Sequence, residues 1–142
     1  MIPKFRAWDK ENDRMIYPST TGVCFEMNDD GISVLDIDVD YPNDYGFPKI
    51  ASILMQSTGL KDKNGVEIFE GDLVSISVQN GFDYLDNKVC IVKNSIGHSG
   101  LVCATVDEDL EYRIFNTELF EEYTYEVIGN IYENSELLEE QR

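Results

Sequence analysis

Leu54-Met55-Gln56-Ser57-Thr58-Gly59-Leu60-Lys61-Asp62-Lys63-Asn64-Gly65-Val66-Glu67-Ile68-Phe69-Glu70-Gly71-Asp72-Leu73-Val74 holds a strand end and two turns, then opens a β alternation. Asn-Gly supplies the positive-φ residues of a type I′ turn, so Asn64-Gly65 predicts a tight hairpin with Leu60 facing Val66 or Ile68. Phe69-Glu70-Gly71-Asp72 reads as a second turn. Gly71 takes a left-handed backbone there, and the Asp72 carboxylate accepts a nearby amide. Past it, Val74, Ile76 and Val78 line one face of a strand and Ser75 and Ser77 the other.

Downstream, Gln79–Asn87 reads as a polar loop carrying Phe82 and Tyr84. Three strands follow at Lys88–Lys93, Leu101–Val106 and Tyr112–Phe115. Thr117–Glu122 predicts one helical turn and Tyr125–Tyr132 a last strand. Asn134 reads as the N-cap of a short helix over Ser135–Glu139, with Glu136 at its positive end. About five strands joined by short turns make a small closed barrel, a form that leaves no long unpaired edges.

Upstream, Lys4–Trp8 and Met15–Tyr17 flank the polar stretch Asp9–Arg14 as a hairpin with a longer loop. Strands are expected at Val23–Met27 and Ile32–Val39, on either side of the turn Asn28-Asp29-Asp30-Gly31. Tyr41–Pro48 is rich in chain breakers and reads as the connection between two halves. Ile50–Gln56 is apolar but too short for periodicity to choose strand or helix. The division expected is an N-terminal β region over residues 1–48 and a barrel region with its short terminal helix over 49–142, in one folding unit.

The 142 residues are 42% hydrophobic and 11% aromatic, which suits a folded chain, and eight Tyr and seven Phe favour sheet. The 28 acidic residues outnumber 11 basic ones for a net charge of −17. A field of that sign opposes direct binding to nucleic acid and to anionic membranes, and favours basic partners. Cys24, Cys90 and Cys103 are odd in number and lack CxxC spacing, so they read as reduced thiols packed as small hydrophobes. No leading signal segment is seen, and no apolar run approaches the ~20 residues of a membrane span. A cytoplasmic protein is expected.

Candidate chemistry is sparse. Asp36, Asp38 and Asp40 would share one strand face, a pattern suited to a hard cation. The EF-hand template fails, because Tyr41 stands where that loop needs Gly and Phe47 where it needs a bidentate Glu. The favoured reading is a charged solvent face. His98 lies in a Gly-flanked loop with Ser95 and Ser99, but no nucleophile elbow or oxyanion motif accompanies it. No zinc set and no phosphate-binding glycine loop is present. No catalytic residue, metal or cofactor is therefore assigned, and a non-enzymatic role is expected.

Several ordered blocks resemble one family. Lys4-Phe5-Arg6-Ala7-Trp8-Asp9, Met15-Ile16-Tyr17, the stretch from Leu54 to Gly65, Ile68-Phe69-Glu70-Gly71-Asp72-Leu73-Val74 and Val127-Ile128-Gly129-Asn130-Ile131-Tyr132-Glu133-Asn134 look like the YopX family. The segments 22–49 and 79–122 carry no part of it. The resemblance implies a phage or prophage protein in a bacterial host, with a mainly β fold built on an SH3-like barrel, an N-terminal hairpin region and a short C-terminal helix. It carries over no activity and no catalytic residues.

The function expected is that of an accessory protein whose barrel binds a host or phage protein, a basic one being favoured by the charge. Phe82 and Tyr84 of the polar loop and Glu118, Glu121 and Glu122 are the candidate contacts. One alternative is an acidic DNA mimic. Asp107, Glu108, Asp109, Glu111, Glu118, Glu121, Glu122, Glu126, Glu133, Glu136, Glu139 and Glu140 stand in a span whose only base is Arg113. The other alternative is an assembly protein acting as a homo-oligomer through unpaired strands.

Overall fold

The computed structural model describes residues 4–29, 31–39, 46–79, 84–95, 100–107, 110–113 and 123–141. These form β1 (Phe5–Asp9), β2 (Arg14–Ile16), β3 (Val23–Asn28), β4 (Gly31–Asp36), β5 (Ser52–Lys61), β6 (Glu67–Phe69), β7 (Asp72–Gln79), β8 (Tyr84–Ser95), β9 (Gly100–Thr105), β10 (Glu111–Arg113), β11 (Tyr123–Asn130) and α1 (Ser135–Gln141). The fold is mainly β with one short helix among the described residues. The chain divides into two compact units, Met1–Gln56 and Ser57–Arg142.

In the first unit β1 lies between β2 and the first half of β5, antiparallel to both. Ala7 is the small residue at the centre, opposite Ile16 on one side and Leu54 on the other. β3 and β4 form a separate hairpin in continuous register from Val23↔Asp36 to Asn28↔Gly31. Ala7, Ile16, Val23 and Val34 make the buried core, with Phe25, Ile50 and Leu54 packed against it. Fully burying a Val or Ile side chain of this kind contributes about 1.5–3 kcal/mol.

β4 ends at Asp36, sooner than the alternation to Val39 predicts. The Asp36 carboxylate accepts the amide of Asp38 at 3.0 Å, and Ile37 donates to the Gly22 carbonyl at 3.0 Å. An Asx turn thus replaces the last strand residues. Asp36 and Asp38 do not share a strand face, and Asp40 lies outside the described residues.

The second unit holds a five-stranded antiparallel sheet in the order β10-β9-β8-β7-β11. A meander whose last strand folds back beside its first is the connectivity of an SH3-like barrel. Val74 and Ile76, which the alternation places on one face, are buried with Ile68, Cys90, Val92, Cys103 and Tyr125. Two irregularities shape the sheet. The β7–β8 register shifts between Ile76 and Val78, where Asn87 takes a positive φ of 51° and donates its amide to Ser77 Oγ. Part of the expected loop at Gln79–Asn87 is therefore strand, because β8 extends back to Tyr84. A second shift, between Val127 and Gly129, bulges Ile128 out of β11.

The second half of β5 pairs with β6, again with a shift between Ser57 and Lys61. Hydroxyls stand in for the interrupted ladder. Ser57 Oγ accepts from Gly59 N–H at 3.0 Å, and Thr58 Oγ1 accepts from Leu60 N–H while donating to the Ile68 carbonyl.

Candidate functional site

Three carboxylates are buried among the described residues, Asp9, Asp62 and Asp72, and each stands at a turn. Asp9 closes the β1–β2 loop. Its oxygens accept the amides of Glu11 and Asn12, the Asn12 carboxamide at 2.9 Å and the Arg14 guanidinium at 3.0 Å. Burial opposes ionisation of Asp9, but the donors from Asn12, Arg14 and the backbone outweigh it and hold its pKa below the usual aspartate value.

Asp62 organises the turn after β5. Oδ1 accepts the amides of Asn64 at 2.9 Å and Val66 at 2.8 Å, and Oδ2 accepts the amide of Val127 in β11 at 2.9 Å. The adjacent Lys63 amide donates to the Tyr125 carbonyl at 3.0 Å. This turn is not the type I′ form that Asn64-Gly65 suggests. Gly65 alone has a positive φ there, 81°, and donates to the Asp62 carbonyl, while Asp62 N–H bonds to the Val66 carbonyl. Those bonds define a three-residue loop with a glycine bulge. The difference arises because the Asp62 side chain supplies the acceptor that organises the loop.

Asp72 follows the left-handed Gly71 (φ 88°) and accepts the amide of Phe69 at 2.8 Å, as the turn chemistry predicts. Gly71 itself bridges strands, donating to Val92 O and accepting from Ile131 N–H. At the end of β11, the Asn130 carboxamide oxygen takes the amides of Tyr132 and Glu133. The Asn134 side chain turns back to accept Asn130 N–H at 3.1 Å, and only its main-chain carbonyl serves α1, accepting from Leu137. The side-chain N-cap expected of Asn134 is therefore not made. Competition from the preceding turn takes its oxygen.

The thiols divide by exposure. Cys24 is exposed on β3, contrary to the packing expected of all three, whereas Cys90 and Cys103 are buried in the barrel core. Burial pushes the Cys90 thiol up to about 12, against an opposing pull from Lys88. Burial likewise raises that of Cys103, with Cys90 and Asp72 adding to the effect. Neither buried sulfur is a thiolate nucleophile at neutral pH.

Of the candidate contact residues, Tyr84 opens β8 opposite Gln79. Phe82, Glu118, Glu121 and Glu122 lie outside the described residues, as does His98. In the acidic C-terminal span, Asp107 pairs with Lys88 and Glu126 with Lys63 at 3.1 Å. Those bases come from outside the span, so the charge there is less one-sided than the linear sequence suggests. No group of three or more His, Cys, Asp or Glu that could hold a metal is found among the described residues. No helix among them is long and apolar enough to cross a membrane.

A family model described as YopX protein matches residues 4–139. The chain belongs to the YopX protein family. It is similar to the crystal structure of protein EF1440 from Enterococcus faecalis, with 29% identity and a TM-score of 0.61 over 97% of this chain and 99% of that one. It also shares its fold with protein yopX from Bacillus subtilis, at 23% identity and a TM-score of 0.60 over 94% and 96% of the two chains. No curated protein matches it. The blocks that carry the family resemblance contain Asp9, Asp62, Asp72, Gly129, Asn130 and Asn134. Each has a structural assignment above or a steric one, since a Cβ on Gly129 would meet Asn134 Oδ1 at 2.4 Å.

Proposed function

We propose that this chain is a phage or prophage accessory protein that works without catalysis, binding a basic host or phage protein through its β framework and acidic surface. The observation that carries the reading is the commitment of the buried carboxylates to turns. Asp9 and Asp62 each hold several donors, and Asp72 holds the Phe69 amide. A general acid or base needs access to a substrate proton, and these groups are taken up by main-chain amides and, at Asp9, by the Asn12 and Arg14 side chains. The buried thiols are held protonated, which argues against nucleophilic chemistry.

The surface supplies the other half. Glu11, Asp13, Glu26, Asp29, Asp38, Asp86, Glu133 and Glu136 are exposed, and a net charge of −17 draws basic partners by long-range attraction. The ion pairs of Asp107 and Glu126 weigh against the narrower reading of a DNA mimic, which needs a run of unpaired charge.

The test is affinity capture from host lysate at low and high salt, followed by binding of the purified partner. Capture of a defined basic protein that weakens about tenfold or more at high salt is expected, because exposed charge pairs are screened. Turnover of a substrate in a broad hydrolase screen, or a purified chain with no specific partner, would overturn it.

A further inference from the structure

We propose that the outer edge of β3 is a docking edge, where an extended basic segment of a partner protein adds as a third strand to the β3–β4 hairpin. The inference rests on the protein-binding reading above and names where and how the partner sits.

Backbone accounting identifies the edge. On the β4 side, Ile50 N–H bonds to the Val34 carbonyl at 2.8 Å and Asp36 N–H to the Pro48 carbonyl at 2.9 Å. Val34 and Asp36 therefore turn their polar groups away from β3. In an antiparallel pair, opposed residues either bond each other or both face outward. Phe25 is opposite Val34 and Val23 is opposite Asp36, so both present their main-chain groups outward. Met27, two residues on, does the same. The Gly22–Ile37 bond is in phase with this pattern. Among the described residues no strand pairs with that side of β3. The Cys24 thiol approaches the Phe25 carbonyl at 3.8 Å, a weak contact that a strand amide would replace.

β3 also lacks the usual protection of an edge. Val-Cys-Phe-Glu-Met-Asn contains no Pro, no Lys and no break in register. Its apolar face grades from buried Val23 through half-buried Phe25 to Met27, which is 75% exposed. Its other face presents Cys24, Glu26 and Asn28, all exposed, with Asp29 at the hairpin tip. An added strand with alternating apolar and basic side chains would cover Met27 and Phe25 and meet Glu26. This is strand addition, in which main-chain bonds give affinity and alternate side chains give selectivity. A second copy fits less well, since each brings a charge of −17.

The test uses the full chain and a fluorescein-labelled octapeptide of alternating Lys and Val, followed by fluorescence anisotropy. Binding is expected, and Met27→Pro is expected to weaken it about tenfold or more, because Pro removes an outward donor without removing a hairpin bond. Methylating every second peptide amide is expected to abolish binding. Glu26→Lys is expected to shift preference to the matching Glu-Val peptide, and with the methylated peptide it decides the matter if Met27→Pro does not fold. Equal binding of the methylated and parent peptides, or full binding by folded Met27→Pro, would overturn the edge in favour of simple charge adhesion. A wild-type dimer dispersed by Met27→Pro would replace the basic segment with a second copy. A lysate partner bound equally by wild type and Met27→Pro would overturn the edge while leaving the protein-binding reading standing. A chain with no specific partner would overturn both.

Discussion

The Asp62 carboxylate accepts the amide of Val127, 65 positions further along the chain, at 2.9 Å. The same side chain holds Asn64 and Val66, so one buried group organises a turn and fixes it along β11. Asp62→Ala leaves three amides without their acceptor and is expected to cost about 2–4 kcal/mol. Asp62→Asn keeps one oxygen and is expected to cost less. Urea denaturation of the two variants checks the order. Equal stability of Asp62→Ala and wild type would remove the turn's organising role.

Asp9 gives the fold an acid-sensitive element. Its folded pKa lies below its unfolded value, so its contribution is fully present above the unfolded pKa. That contribution is lost as pH falls through the folded value. Asp9→Asn is expected to melt below wild type at pH 7, with the gap narrowing below about pH 4. Thermal melts between pH 2.5 and 7 measure this. A gap that stays constant with pH would show that the charge of Asp9 does not contribute.

Gly129 and Asn134 are sterically coupled. A Cβ at Gly129 would stand 2.4 Å from Asn134 Oδ1 and 2.6 Å from its Cγ. Gly129→Ala must displace that side chain and break its bond to Asn130 N–H, and a loss of about 1–3 kcal/mol is expected. In the Asn134→Gly background, which also removes the Cβ that would stand at 3.0 Å, the same substitution is expected to cost much less. A double-mutant cycle reads the coupling directly, and purely additive costs would refute it.

The thiols offer a direct check on burial. Cys24 is expected to react promptly with an aromatic disulfide reagent, with Cys90 and Cys103 protected until the chain unfolds. One fast equivalent in buffer and three in denaturant is the expected titration. Cys24→Ser should remove the fast phase. Rapid reaction of two or more thiols in the native protein would contradict the described core.

Much of this architecture is legible in local chemistry. Gly71-Asp72 announces its turn because a left-handed glycine and an acceptor carboxylate act within four residues of each other. Val74 and Ile76 announce a buried face because their period of two survives folding. The misses share a cause. Asn64-Gly65, Asn134 and Asp36 each have more than one available partner, and long-range geometry or competition chooses among them. No sequence spacing reveals that Asp62 will reach Val127, or that Pro48–Ile50 will cover β4 and leave β3 as the edge. The interaction surface is harder to read than the fold because an edge is defined by what fails to pair with it. Of the residues proposed for partner contact from sequence, only Tyr84 falls within the described strands.

The return of β11 to the side of β7 also constrains how the protein is made. β7 and the Asp62 turn leave the ribosome well before their partner residues Tyr123–Asn130 are translated. Tyr125, the largest fully buried side chain among the described residues, belongs to that late strand. Until then the second unit waits as an incomplete sheet with an open core. A premature stop before β11 would therefore yield a sticky, protease-sensitive fragment rather than a shortened working protein.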